Sequence, residues 1–72
     1  MPGAKMTSDL DIYRSAAVLI RRFGSGAPGE AAARAQAMAE KGDLEGQLVW
    51  QRIERAVQEL QRMERPSGEP LQ

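Results

Sequence analysis

The chain contains neither cysteine nor histidine. The lack of cysteine excludes disulfide bonds, thiolate nucleophiles and sulfur-ligated metal sites. The lack of histidine removes the commonest general base and the commonest metal ligand of proteins. An enzyme built on this chain would have to rely on carboxylates and arginines alone. We therefore expect a protein that has no catalytic activity and binds neither a metal ion nor a cofactor.

An excess of charge of one sign is also lacking. Ten basic and ten acidic residues give a formal net charge of zero, whereas nucleic-acid-binding domains usually carry a net positive charge or a basic stripe. The longest apolar run, residues 16–20, is far shorter than the roughly 20 residues that span a bilayer. Asp9 and Asp11 stand where a signal peptide would need its apolar stretch. We expect a cytoplasmic protein that binds neither nucleic acid nor membranes.

Large apolar side chains are scarce. Eleven residues are alanine, whereas leucine, isoleucine, valine and phenylalanine together number thirteen. Each large apolar side chain contributes about 1.5–3 kcal/mol when it is fully buried, so this number holds one small domain with little surplus. The alanines predict helices that approach one another closely. A core this small makes a homodimer, which buries more surface, a realistic alternative to a monomer.

Three segments carry the start and stop signals of α-helices. Ser8 is the predicted N-cap of the first helix, and Gly24 is its predicted left-handed C-cap. Pro28 falls in the first turn of the second helix, where its missing N–H costs nothing. Gly42 ends the second helix, and Asp43 is the predicted N-cap of the third. The predicted helices cover residues 9–23, 27–41 and 44–63.

The predicted fold is all-α, a small three-helix bundle over residues 8–64. Residues 1–7 are predicted to be a flexible leader, and residues 65–72 a disordered tail. No internal repeat and no strand pattern is present in the sequence. The two-residue link 42–43 makes the second and third helices neighbours that either fold back antiparallel or cross at a steep angle.

Apolar side chains recur at helical spacing on the first and third predicted helices, which indicates the faces that are buried. Gly46 also lies on the stripe of the third helix, although glycine there costs about 1 kcal/mol relative to alanine. We expect another backbone or an aromatic ring to pack against it. The predicted core anchors are Ile12, Leu19, Phe23, Trp50, Ile53 and Val57.

Two large aliphatic residues, Val18 and Leu48, fall on the polar faces of their helices. Single exposed apolar residues are common in soluble proteins. If these two adjoin in space, or pack against a second copy of the chain, they mark an interface, with Arg14 and Arg22 at its rim. These four residues form the predicted protein-interaction surface of a regulatory or interaction module whose partner the sequence does not identify.

The second and third helices also suggest an alternative, a helix-turn-helix regulator that binds nucleic acid. The N-terminal half of such a recognition helix normally presents basic or amide side chains to the bases. Here it presents Leu44, Glu45, Gln47 and Leu48, and the arginines Arg52 and Arg55 come late. The sequence therefore favours a protein-interaction module over a nucleic-acid-binding regulator.

Several short motifs carry a resemblance to a known family. They are Ala-Ala-Val-Leu-Ile-Arg-Arg at 16–22, Ala-Pro at 27–28, Gly-Asp-Leu-Glu-Gly at 42–46, Val-Trp at 49–50 and Arg-Ile at 52–53. With them, residues 11–61 resemble a family of short, uncharacterised all-helical alphaproteobacterial proteins, a domain of unknown function. Members often carry a histidine before the first interhelical glycine, where this chain has Phe23. The resemblance implies a bacterial cytoplasmic protein of helical architecture, and it implies no activity.

Overall fold

The computed structural model of this chain describes residues 8–64. Within this range the chain is almost entirely helical and has no strand, which confirms the all-α prediction. The elements are α1 (Asp9–Phe23), a 3₁₀ turn (Gly24–Gly26), α2 (Ala27–Lys41) and α3 (Leu44–Glu64). The predicted bounds differ from these by one residue, at the end of α3. The predicted leader and tail lie outside the described residues.

Both ends of α1 are set by the residues that flank it. The Ser8 hydroxyl accepts a hydrogen bond from the Asp11 backbone N–H at 3.2 Å, which confirms the predicted N-cap. At the other end, Gly24 donates its backbone N–H to the Ile20 carbonyl and has φ +55° and ψ −126°. The positive φ fits the prediction, but this ψ lies outside the left-handed helical region because the chain continues into the 3₁₀ turn. Glycine adopts such a conformation without the steric cost of a Cβ atom.

The turn between α2 and α3 uses one residue to end a helix and the next to begin another. Gly42 is left-handed, with φ +80° and ψ +14°, and its N–H donates to the Ala39 carbonyl at 3.0 Å. The Asp43 N–H donates to the Met38 carbonyl at 2.9 Å, which completes a Schellman motif. The Asp43 carboxylate then accepts the Gly46 N–H at 2.9 Å. Both predicted caps are confirmed.

The α2 and α3 helices run antiparallel. Near the turn, a Cβ atom added to Gly46 would lie 2.8 Å from the Met38 sulfur. Farther from the turn, the Arg34 guanidinium carbon lies 5.2 Å from the centre of the Trp50 ring. Moving backward along α2 therefore corresponds to moving forward along α3. Of the two arrangements that the short link allowed, the chain adopts the folded-back hairpin.

The surroundings of Gly46 differ from those expected from the sequence. The atoms nearest to the position of a Cβ at Gly46 belong neither to another backbone nor to an aromatic ring. Its nearest neighbours are the side chains of Met38 and Asp43, and an added Cβ atom would come within 2.8 Å of both the sulfur and a carboxylate oxygen. The glycine therefore leaves room for the carboxylate that caps its own helix.

The α1 helix lies along the C-terminal half of α3. Its first residue, Asp9, contacts Arg52, and the residue that follows its last turn, Gly24, contacts Gln61. The two helices therefore point in the same general direction. Of the three helices, α3 makes extensive contacts with both others, whereas α1 and α2 touch each other less.

One apolar cluster joins all three helices, and four of its eight buried residues are alanines. Alanine adds little bulk, so this content fits the close helix approach that the composition predicts. The cluster consists of Ile12, Ala16 and Leu19 from α1, Ala27 and Ala31 from α2, and Ile53, Ala56 and Val57 from α3. Ile20, Val49, Trp50 and Leu60 are partly buried against it.

The predicted core anchors have different outcomes. Trp50 is only partly buried, although it packs against the cluster. Phe23 is 40% exposed, so its prediction as a core anchor is wrong. It is the last residue of α1, and helical periodicity fixes the direction of a side chain but not whether a neighbouring helix reaches its level. The other four are exposed by 5% or less: Ile12, Leu19, Ile53 and Val57.

Candidate interaction surfaces

The outer face of α1 carries an apolar side chain surrounded by arginines. Val18 is 48% exposed. Arg14 precedes it by four residues, and Arg21 and Arg22 follow it by three and four, so all three are its neighbours on the helix surface. Each of these arginines is exposed. We call Arg14, Val18, Arg21 and Arg22 the α1 patch.

The arginines of the α1 patch present their charge to solvent. Within residues 8–64 the ion pairs are Glu30–Arg34 at 2.7 Å and Asp9–Arg52 at 2.8 Å. None of the three patch arginines takes part in them. Residues 12–29 also contain no acidic residue. This part of the surface is therefore positive although the chain as a whole is formally neutral.

The first two turns of α3 carry a second apolar surface. Leu44 and Leu48 are 67% and 60% exposed and stand at i,i+4, on the face opposite the buried Ile53 and Val57. Glu45 precedes Leu48 by three residues and Arg52, which pairs with Asp9, follows it by four, so charges of both signs are its neighbours on the helix surface. This surface is therefore apolar at its centre and mixed in charge at its edge. We call Leu44 and Leu48 the α3 patch.

The structure places Val18 and Leu48 in separate regions. Leu48 precedes Arg52 by one helical turn, and Arg52 pairs with Asp9 at the beginning of α1. Val18 lies nine residues farther along α1, which is about 13 Å at about 1.5 Å per residue. The predicted surface of Val18, Leu48, Arg14 and Arg22 is thus divided between two patches, and Leu48 lies apart from the other three.

A shallow polar groove separates α1 from α3. It has a volume of about 190 Å³ and is lined by Asp9, Ile12, Tyr13, Arg52, Arg55, Ala56 and Glu59. The Tyr13 hydroxyl donates to the Glu59 carboxylate at 2.6 Å. This hydrogen bond, together with desolvation and the negative charge of Glu59, raises the pKa of Tyr13. The hydrogen bond to Glu59 thus favours the neutral form of the tyrosine.

Residues 8–64 contain neither a candidate metal-ligand group nor a candidate membrane-spanning helix. No three or more carboxylates in this range are grouped so that they could hold a metal ion. None of the described helices combines the length and apolar character that crossing a membrane requires.

Sequence reasoning missed Leu44 as a surface residue of interest. The signal was present, because Leu44 and Leu48 are one helical turn apart and both lie opposite the apolar stripe of α3. A pair of leucines at this spacing forms a continuous apolar surface, whereas Leu48 considered alone is an isolated exposed residue.

Comparison of the chain with protein-family models, curated proteins and solved structures gave no match. The resemblance to the alphaproteobacterial family therefore stays a prediction. The function has to be argued from the surfaces described above.

Proposed function

We propose that this chain is a three-helix bundle that serves as a non-catalytic protein-interaction module in the bacterial cytoplasm. The observation that carries the proposal is the exposure of Leu44 and Leu48, at 67% and 60%, on one face of α3. Leucines at i,i+4 are the anchors by which a helix docks on the groove or helix of a partner. The proposal of a bacterial cytoplasmic location rests on the family resemblance.

The scarcity of large apolar residues strengthens the case for a partner. Leucine, isoleucine, valine and phenylalanine number thirteen in the whole chain, yet Leu44, Leu48 and Val18 are all close to half exposed or more. Full burial of such a side chain contributes about 1.5–3 kcal/mol. A partner that buries these side chains would add the hydrophobic stabilisation that folding of the single chain leaves unrealised.

A second candidate function is nucleic-acid binding, and the α1 patch is the observation that favours it. Arg14, Arg21 and Arg22 are exposed and form no ion pair within residues 8–64, so they suit phosphate groups. Against this, the chain is formally neutral, and the start of α3, where a recognition helix would meet DNA, presents leucines and Glu45. We expect a nucleic-acid binder to lose affinity steeply between about 50 and 200 mM salt.

The test is capture of partners from lysate of the source cell with tagged protein, after nuclease treatment. The bait variants are wild type, the double variant Leu44→Ser/Leu48→Ser, and Leu10→Ser as a control at another leucine that is 61% exposed. We expect a stoichiometric protein partner with wild type and Leu10→Ser, and its loss with the double variant. Circular dichroism establishes that all three proteins are equally helical.

Two results would contradict this proposal. One is capture that depends entirely on nucleic acid and disappears with nuclease, which would favour the second candidate function. The other is equal capture by wild type and Leu44→Ser/Leu48→Ser, because it would show that these leucines contact no partner.

A further inference from the structure

The turn between α1 and α2 reverses the chain within three residues. The α1 helix runs in the direction of α3 and α2 runs against it, so α1 and α2 are antiparallel across Gly24–Gly26. Residues 24–26 are exposed, and no side-chain hydrogen bond caps the beginning of the turn or of α2. Because so few residues make the reversal, a change in the backbone at one of them redirects the whole of α1.

Gly24 holds a backbone conformation that other residues rarely adopt. Its φ of +55° and ψ of −126° lie outside the regions open to residues with a Cβ atom. A Cβ atom added there would meet no heavy atom within 4 Å, so glycine is required for the backbone conformation and not for space. Gly26 has φ −86° and ψ −1°, which other residues adopt, and its Cβ position is equally open. One glycine of the turn is therefore required and the other is not.

The surface that covers α1 is built by the other two helices. The buried side chains of α1 share one cluster with five residues of α2 and α3: Ala27, Ala31, Ile53, Ala56 and Val57. A second copy of the chain carries the same five residues in the same arrangement, so α1 of one molecule fits the other equally well. Pro28, in the first turn of α2, prevents α1 and α2 from merging into one continuous helix, because its ring would clash with the Gly24 carbonyl. The two helices therefore stay separate units joined by the turn.

We propose that residues 24–26 are a hinge through which two copies of the chain exchange their α1 helices, and that the conformation of Gly24 keeps each α1 on its own molecule. The closed monomer and the exchanged dimer bury the same side chains, so the turn decides between them. Leu44 and Leu48 lie on the face of α3 opposite to its buried residues and are exposed in both forms. The dimer presents the α3 patch twice, which raises its avidity for a partner with two sites. This consequence, unlike the exchange itself, rests on the proposed function.

Substitution of the two glycines tests the hinge with a matched control. Gly24→Ala places a Cβ atom on the positive φ, and relief of this strain shifts the equilibrium toward exchange by roughly 5- to 150-fold for each hinge. Gly26→Ala makes the same chemical change where φ is already negative. In sedimentation velocity over a range of concentrations, we expect Gly24→Ala to dimerise where wild type and Gly26→Ala are monomeric. Circular dichroism should show equal helicity in all three proteins.

Isotope-filtered nuclear Overhauser spectra of Gly24→Ala distinguish an exchanged dimer from any other. Labelled and unlabelled protein are mixed in urea and refolded together, so that mixed dimers form. We expect contacts between the buried methyl groups of α1 in one molecule and those of α3 in the other. A rescue variant of Gly24→Ala carries a short Gly/Ser insertion after Ser25, which lets the chain reverse without the strained residue and should restore the monomer.

A helical Gly24→Ala monomer at every concentration would overturn the inference, and so would a dimer whose α1–α3 contacts lie within one molecule. If Gly24→Ala loses its helicity at every concentration, the inference also fails, because exchange would have preserved the helices. None of these outcomes involves Leu44 or Leu48. Partner capture by Leu44→Ser/Leu48→Ser therefore decides the proposed function separately.

Discussion

The α3 helix contacts α2 on one side and α1 on another, and the two contacts are built from different material. The α2–α3 interface begins at a two-residue turn with a Schellman motif and an aspartate cap. It continues through small side chains such as the fully buried Ala31, and it is covered by the Arg34 guanidinium over the Trp50 ring. Its residues are close in sequence, so little chain entropy is lost in bringing them together.

The α1–α3 interface instead joins residues that are 37 to 46 positions apart in the chain. Its rim consists of exposed polar contacts: Asp9 with Arg52, Tyr13 with Glu59, and the Gly24 carbonyl with Gln61. Exposed contacts of this kind contribute little to stability because water competes for the same groups. The burial of Ile12, Ala16 and Leu19 must therefore hold α1 in place. One interface thus depends on local turn chemistry and the other on a few large side chains.

The largest effect is expected at the α1–α3 interface. Leu19→Ala should lower the free energy of unfolding by about 2–5 kcal/mol, because Leu19 is 5% exposed and its truncation leaves a cavity. Urea unfolding followed by circular dichroism measures the loss. Trp50 is the only tryptophan of the chain, and its fluorescence reports the α2–α3 interface separately.

We expect these two transitions to coincide, since Leu19 and Ala31 belong to the same buried cluster. Loss of helicity before any change in Trp50 fluorescence would show that α1 detaches from an intact hairpin. The two interfaces would then be energetically independent.

A smaller effect is expected when the α2–α3 interface is overfilled. Ala31 is fully buried, so Ala31→Leu forces the helices apart and should cost about 1–3 kcal/mol. Ala33→Leu adds the same atoms at an exposed position of the same helix and should change stability by less than about 0.5 kcal/mol. Thermal unfolding of both variants checks the prediction. Equal effects at the two positions would mean that alanine at 31 is not needed for close helix approach.

The smallest effect is expected at the rim of the α1–α3 interface and depends on pH. The hydrogen bond to Glu59 raises the pKa of Tyr13 in the folded protein, so the protonated hydroxyl favours folding. This contribution is complete below the unfolded tyrosine pKa of about 10 and is lost as the pH rises through the folded value. The stability difference between wild type and Tyr13→Phe should therefore shrink above about pH 10. A difference that stays constant through this range would show that the hydrogen bond contributes nothing in solution.

Much of the local structure was predictable because its causes lie within a few residues. The Ser8 and Asp43 caps and the glycines that end α1 and α2 gave the helix bounds to within one residue. The buried stripes followed from helical spacing, with Phe23 as the exception. Its exposure depends on how far α2 and α3 extend beside the end of α1, and no pattern within α1 contains that information.

The candidate surfaces were only partly predictable. Exposure of Val18 and Leu48 followed from their position opposite the apolar stripes. Their separation, the contact of Tyr13 with Glu59 and the neighbours of Gly46 required the packing of whole helices. These features depend on side chains from distant segments, and a pattern along one helix does not specify its neighbours.

The sequence by itself determined the three helices, their caps, their buried faces and the scarcity of large core residues, because backbone hydrogen bonding and helical periodicity act over a few residues. The tertiary structure alone decided that α2 folds back on α3, that α1 lies along the second half of α3, and that the arginines around Val18 stand apart from the exposed leucines of α3. These outcomes depend on how the alanine-rich faces approach and on which large side chains share one buried cluster. They are properties of the three helices packed together.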